Sequence, residues 1–186
     1  EESDDELSRI LLAVIAFCDI QPSISFIQAV LDKSKSEVEE IIGKNSDFLY
    51  IKENGIVMYR SEALYKYMKD YLSDYQSRVE QRFISIYESN ASAYADALLP
   101  LYKKFNKDQS LIHLLNDDNI QEHLDQNRTQ ASLNVQCDFG YESALKDPLY
   151  LGDALRFAVI RSTSRQIEQN ELWDDETEAL VLQGRI

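Results

Sequence analysis

Apolar positions recur at intervals of three and four along the first forty residues. Leu7, Ile10, Leu11, Val14, Ile15 and Cys18 predict a helix ending near Phe17. Ser3 followed by Asp4, Asp5 and Glu6 is a capping-box pattern that puts acid at the positive end of the helix dipole. The stretch from Asp19 to Ser23 breaks the pattern, because Pro22 has no N–H to donate and biases Gln21 toward extended geometry. Ser23 then caps a short helix from Ile24 to Leu31, with Phe26, Ile27, Val30 and Leu31 facing inward. Ser36 and Glu39 make a second capping box, opening a third helix with Val38, Ile41 and Ile42 inward.

The period changes after the polar turn at Lys44–Asp47. Two short β-branched and aromatic runs, Phe48–Glu53 and Ile56–Arg60, flank Asn54-Gly55. Asn-Gly between such runs predicts a hairpin with a type I′ turn, in which both central residues take φ > 0. A two-residue loop places Glu53 opposite Ile56, Ile51 opposite Met58, Tyr50 opposite Tyr59 and Leu49 opposite Arg60. Leu49, Ile51, Ile56 and Met58 then share the core face. Ser61 caps a long tyrosine-rich helix whose stripe is Leu64, Met68, Tyr71, Leu72 and Tyr75. Three helices, with an extended link after the first, and then a hairpin are the inventory of a winged helix.

Beyond about residue 76 the pattern is helical throughout, with segments near 77–90, 92–105, 108–116, 118–126, 129–146, 148–164 and 172–184. Val79, Phe83, Ile86 and Tyr87 face inward in the first of these. Tyr94, Leu98, Leu101, Tyr102 and Phe105 do so in the second, where Pro100 predicts a kink. Leu111, Ile112, Leu114 and Leu115 mark the third. Pro148 suits the first turn of a helix with Leu151, Leu155, Phe157, Ala158 and Ile160 inward. Short helices on short loops predict antiparallel pairs stacked as in an α-solenoid. The fold class expected is therefore mainly α: a winged-helix domain over 1–75 joined rigidly, with no Gly or Pro linker, to an all-helical, repeat-like domain over 76–186.

Charge sharpens this picture. The 186 residues hold 19 basic and 33 acidic side chains, net −14. Residues 1–75 have 8 and 15, and residues 76–186 have 11 and 18, so each part is at −7. A field of that sign repels nucleic-acid phosphates and acidic membrane surfaces. The helix from Ser34 to Asn45, which reads DNA in a working winged helix, sets Lys35 and Lys44 against Glu37, Glu39 and Glu40. The wing tip Lys52-Glu53-Asn54 is neutral. Duplex DNA is not the expected partner; protein surfaces or other domains of the same chain are, and the tyrosines are read mainly as core and rim residues. No apolar run approaches a membrane span and no signal peptide is visible. Cys18 and Cys137, far apart in apolar settings, point to buried thiols in a reducing compartment, the cytoplasm.

Candidate chemistry is sparse. The five glycines are isolated, so no phosphate-cradling loop exists within these residues. His113 and His123 lie ten apart without a ligand at i+3 or i+4, and His113 reads as a helix-face residue. Asp117-Asp118 and Asp174-Asp175-Glu176 each sit where a helix N-terminus is predicted, so capping and dipole explain them. No catalytic, cofactor-binding or metal-ligating residue is assigned, and no enzyme is expected in the chain itself. It opens without Met and closes on Gln183-Gly184-Arg185-Ile186, and is read as an excised piece of something larger.

The segments Leu11–Phe17, Ser25–Leu31, Ser36–Ile42 and Ile56–Leu64 together resemble the winged-helix domain that follows the nucleotide-binding module of STAND NTPases, the NACHT and NB-ARC proteins. The resemblance covers about residues 7–72, and the helical remainder resembles the superhelical segments of such proteins only generically. It implies a multidomain signalling ATPase, in a setting such as bacterial defence, whose Walker motifs lie outside this chain. That family often places Met-His-Asp at the strand–helix junction, the histidine sensing nucleotide phosphates. Here the tripeptide is Met58-Tyr59-Arg60, and a tyrosine cannot carry the positive charge. Two functional readings follow: a regulatory scaffold piece of a STAND-type NTPase, or a transcriptional regulator with a DNA-binding winged helix and a helical effector domain.

Overall fold

A computed structural model of the protein describes residues 4–125 and 130–182, with side chains described for 5–122, 124–125 and 131–166. The chain is mainly helical, with one small antiparallel sheet, and divides into two units, Glu1–Asn90 and Ala91–Ile186.

In the first unit the eight consecutive apolar residues Ile10–Phe17 are all buried. The sequence pattern marks only one face of helix α1 (Asp4–Phe17) as apolar, but a helix apolar all round is a core helix. It packs against α2 (Ile24–Leu31), α3 (Lys35–Lys44), α4 (Glu62–Tyr71) and α5 (Gln76–Tyr87). Helix α5 brings Val79, Phe83, Ile84 and Tyr87 into the core beside α1 and α2, so the first unit extends past the boundary expected at residue 75. The Ser3 cap lies outside the described residues.

Ser23 caps α2 as predicted, accepting from Phe26 N–H at 3.2 Å. The cap of α3 is Ser34 rather than Ser36. Its hydroxyl accepts from Glu37 N–H at 3.4 Å, while the Glu37 carboxylate accepts from Ser34 N–H at 2.9 Å. Ser34-x-x-Glu37 and Ser36-x-x-Glu39 both satisfy the motif, and the chain uses the earlier one.

The hairpin of β1 (Leu49–Ile51) and β2 (Val57–Tyr59) lies where predicted, but its register is shifted by one. Leu49 faces Tyr59, Tyr50 faces Met58 and Ile51 faces Val57. Gly55 N–H donates to Lys52 O at 2.9 Å, and Gly55 has φ 77°. Asn54 is not in the left-handed region, which rules out type I′. The loop is a type I turn closed by a left-handed glycine, three residues instead of two. The one-residue slip turns β2 over, so Val57 and Tyr59 are buried with Leu49 in place of Ile56 and Met58; Ile51, beside the loop, is exposed. The link between α1 and α2 completes this layer. Val57 N–H donates to Pro22 O at 2.9 Å, and Ser23 bridges Ile56 antiparallel.

Ser61 caps α4, accepting from Leu64 N–H at 3.2 Å. The helix predicted to continue is interrupted by a 3-10 turn at Ser73–Tyr75. Met68 and Leu72 are buried as expected. Tyr71 is not in the stripe: it is exposed and stacked on Tyr67, with ring centroids 6.0 Å apart and planes at 8°.

The second unit is helical among its described residues: α6 (Ala95–Lys104), α7 (Asp108–Leu114), α8 (Asp117–Asp125), α9 (Gln130–Ala144) and α10 (Leu151–Leu182). Pro100 lies inside α6 without ending it. Helix α9 is central, packing on α6, α7 and α10. Gly140 sets its approach to α10: a Cβ there would lie 2.8 Å from the Phe157 ring and 2.9 Å from Leu115 Cδ1. Two features differ from the sequence pattern. The helices expected at 148–164 and 172–184 are one helix after a 3-10 turn at Pro148–Tyr150, because nothing between Arg161 and Leu182 is a Gly or Pro. Leu151 and Leu155, expected inward, point outward; Ala154 and Phe157 are the buried pair.

Candidate functional site

The best-formed concavity of the first unit is a cleft of about 310 Å³ at the junction of β2 and α4. Ile15 and Cys18 at the end of α1, Pro22 of the link, Met58 and Tyr59 of β2 and Tyr65 of α4 form its walls. Asp19, Ser61 and Glu62 also line it. The cleft lies where Pro22 ends the α1 pattern and sends the link along β2, so that the end of α1, the link, β2 and α4 border a common hollow. It is predominantly apolar. Among the described residues no group of three His, Cys, Asp or Glu side chains is placed to hold a metal ion.

Tyr59 is a wall of this cleft rather than a reaching group. It is 7 % exposed, and its hydroxyl donates to the Leu12 carbonyl oxygen at 2.6 Å. Burial, with Tyr65 beside it, pushes the phenol well above its ordinary pKa, so it remains a neutral donor. Arg60 turns away: its Nε donates to Ser46 O at 2.6 Å and braces the turn before β1. Cys18 is half-buried, with Sγ 3.6 Å from the Tyr87 hydroxyl, and burial raises its pKa.

The electrostatics of α3 are local. Lys33 pairs with Glu37 at 3.3 Å, Lys35 with Glu39 at 3.7 Å and Lys44 with Glu40 at 3.0 Å, all at i,i+4 spacing. Every lysine on or next to this helix therefore has a carboxylate within one turn. Hydrogen bonds from the Ser34 hydroxyl and backbone, and then Lys33, hold the Glu37 carboxyl down at about 2.

No family model, curated protein or solved structure matches the chain.

In the second unit the sequence-flagged groups remain dispersed. His113 is exposed and meets Tyr150 edge-on, with centroids 6.2 Å apart. Asp117 and Asp118 open α8, as expected, and Asp117 pairs with Arg156 at 2.5 Å. Asp174, Asp175 and Glu176 fall within α10 rather than at a helix start, and their side chains, like that of His123, lie outside those described. Cys137 is a free, buried thiol whose pKa burial pushes up to about 11. Among the described residues no helix is long and apolar enough to cross a membrane. The cleft is not legible in the sequence because its walls come from four segments; the one local signal is Pro22 shortly after the apolar run Ile10–Phe17.

Proposed function

We propose that the chain is a non-catalytic regulatory and scaffold segment of a STAND-type signalling NTPase, with a winged helix in its first unit and a helical segment in its second. The observation that carries this reading is the order and pairing of elements in the first unit. A core helix, an extended link lying on β2, two further helices, a hairpin and an outgoing helix follow one another as in a winged helix. Nucleotide sensing by the junction residue is not part of the proposal, since Tyr59 is buried and committed to Leu12. Protein contacts, with other domains of the parent or with a partner, are favoured over nucleic acid because the lysines of α3 are each matched by a carboxylate. The proposed setting is the cytoplasm. The test is to read the open reading frame upstream of Glu1. A GxxxxGK[ST] motif in a strand–loop–helix setting is the expected result; a start codon directly before Glu1 contradicts the reading and leaves the transcriptional regulator.

A further inference from the structure

The polar groups of the cleft between α1, β2 and α4 are of one kind. The Tyr59 hydroxyl is committed to Leu12 O, and the Ser61 hydroxyl accepts from Leu64 N–H. Left at the rim are Gln21 and two carboxylates, Asp19 and Glu62. An ionised carboxylate only accepts hydrogen bonds. Among the described residues no Lys, Arg or His lines the cleft, and no salt bridge holds Asp19. Glu62 pairs with Lys66 at 2.8 Å, but the two side chains are 79 % and 72 % exposed, a contact that water weakens. The end of α1 adds to the same sign, since its last turn has no basic residue to offset the negative end of the helix dipole. This field reaches the interior: Asp19 adds to burial in raising the pKa of the Cys18 thiol.

We propose that this cleft binds a small organic cation, an arylalkylamine or a hydrophobic amine of similar size. Its apolar body lies among Ile15, Pro22, Val57 and the tyrosines, and its ammonium sits at the rim with Asp19 and Glu62. The volume of about 310 Å³ limits the ligand to a small one, because ligand pockets begin at roughly 300 Å³. The rings of Tyr59 and Tyr65, with centroids 6.0 Å apart and planes at 57°, form an aromatic corner, and such ring faces attract a cation. The ammonium supplies the donors that the rim lacks. An anion of the same shape meets two carboxylates and a helix C-terminus, and is repelled. Binding here is regulatory rather than catalytic, and the inference stands independently of the STAND reading.

The experiment is NMR titration of the full chain labelled with carbon-13 at its two methionine methyl groups, Met58 and Met68. Met58 lines the cleft, whereas Met68 is buried in α4 away from it and serves as the internal control. The probes are 2-phenylethylamine, the uncharged 2-phenylethanol and the anionic 3-phenylpropionate. The amine shifts the Met58 signal saturably and leaves Met68 in place; the alcohol binds more weakly and the acid most weakly. Added salt weakens the amine and not the alcohol. Asp19→Asn and Glu62→Gln, both at exposed positions, each raise the Kd of the amine about two- to fivefold, as one exposed ion pair would, and leave the alcohol unchanged. An acid that binds as tightly as the amine overturns the proposal, and so does an amine Kd unmoved by both substitutions. A Met58 signal that the amine does not shift at millimolar concentration also overturns it, and leaves the cleft to a side chain of a protein partner.

Discussion

Replacing Tyr59 with Phe removes one hydroxyl and nothing else, and tests whether that side chain is a structural tie. In the structure the group donates to Leu12 O at 2.6 Å from a site 7 % exposed, joining β2 to the core helix. A buried hydrogen bond between neutral groups contributes about 1 kcal/mol net. The Leu12 carbonyl lies inside α1, where the helical ladder supplies a donor, so the larger penalty for an orphaned buried acceptor does not apply. For a unit of Glu1–Asn90, an unfolding entropy of about 2.1 cal/mol/K per residue makes 1 kcal/mol worth ~5 °C. Tyr59→His removes the same bond and buries an imidazole. Its loss should exceed that of Phe and grow as pH falls below about 6.5, because burial lowers the folded-state pKa and protonation then favours unfolding. Differential scanning calorimetry reads the midpoints, and hydrogen exchange on α1 and β2 peptides localises the effect. A Phe variant that melts like the parent refutes the tie. A His variant that is stabilised at low pH would show that this position faces an anion instead, and one with no pH dependence that it faces solvent.

Three further outcomes follow from local geometry. Gly140→Ala drives a Cβ into Phe157 and Leu115, both buried; overpacking of about 1–3 kcal/mol outweighs the ~1 kcal/mol of helix propensity gained, so the chain melts lower, and a raised melting temperature contradicts the close α9–α10 approach. Ser34→Ala costs about 1 kcal/mol and Ser36→Ala close to none, measured by chemical denaturation; the reverse order reinstates the Ser36 cap. The Glu37 carboxyl is depressed from 4.5 to about 2, so its contribution is present above pH 4.5 and disappears as pH falls toward 2; a carboxyl carbon chemical-shift titration with a midpoint near the ordinary value dissolves the capping box.

How far the sequence carried depended on how many arrangements each pattern permits. Pro22 and Ser23 fix the end of the link and the start of α2 almost uniquely, and the helix from Ile24 to Leu31 appears as read. Asn54-Gly55 marks a hairpin equally well for a two-residue and a three-residue loop. Only the φ of Asn54 separates them, and that is set by how Val57 and Tyr59 meet the core. The two overlapping S-x-x-E motifs at 34 and 36 are locally equivalent. The helices read at 148–164 and 172–184 are continuous as α10, since no Gly or Pro separates them to stop the helix. Periodicity places Leu151, Leu155 and Phe157 on a helix without saying which apolar face the neighbouring helix covers; Gly140 decides that by admitting the Phe157 ring. The cleft at Met58 and Tyr59 needs four segments brought together, which no local pattern encodes.

The claim that the first unit makes protein rather than nucleic-acid contacts is most directly tested by fluorescence anisotropy with random and genomic duplexes at two salt concentrations. Neutralising about six phosphates takes about six placed cations, whereas α3 carries Lys35 and Lys44, each held by a glutamate. The account predicts no specific binding at physiological salt and no change on Lys35→Glu. Submicromolar binding with a steep salt slope, abolished by Lys35→Glu, would contradict it and make α3 a reading helix.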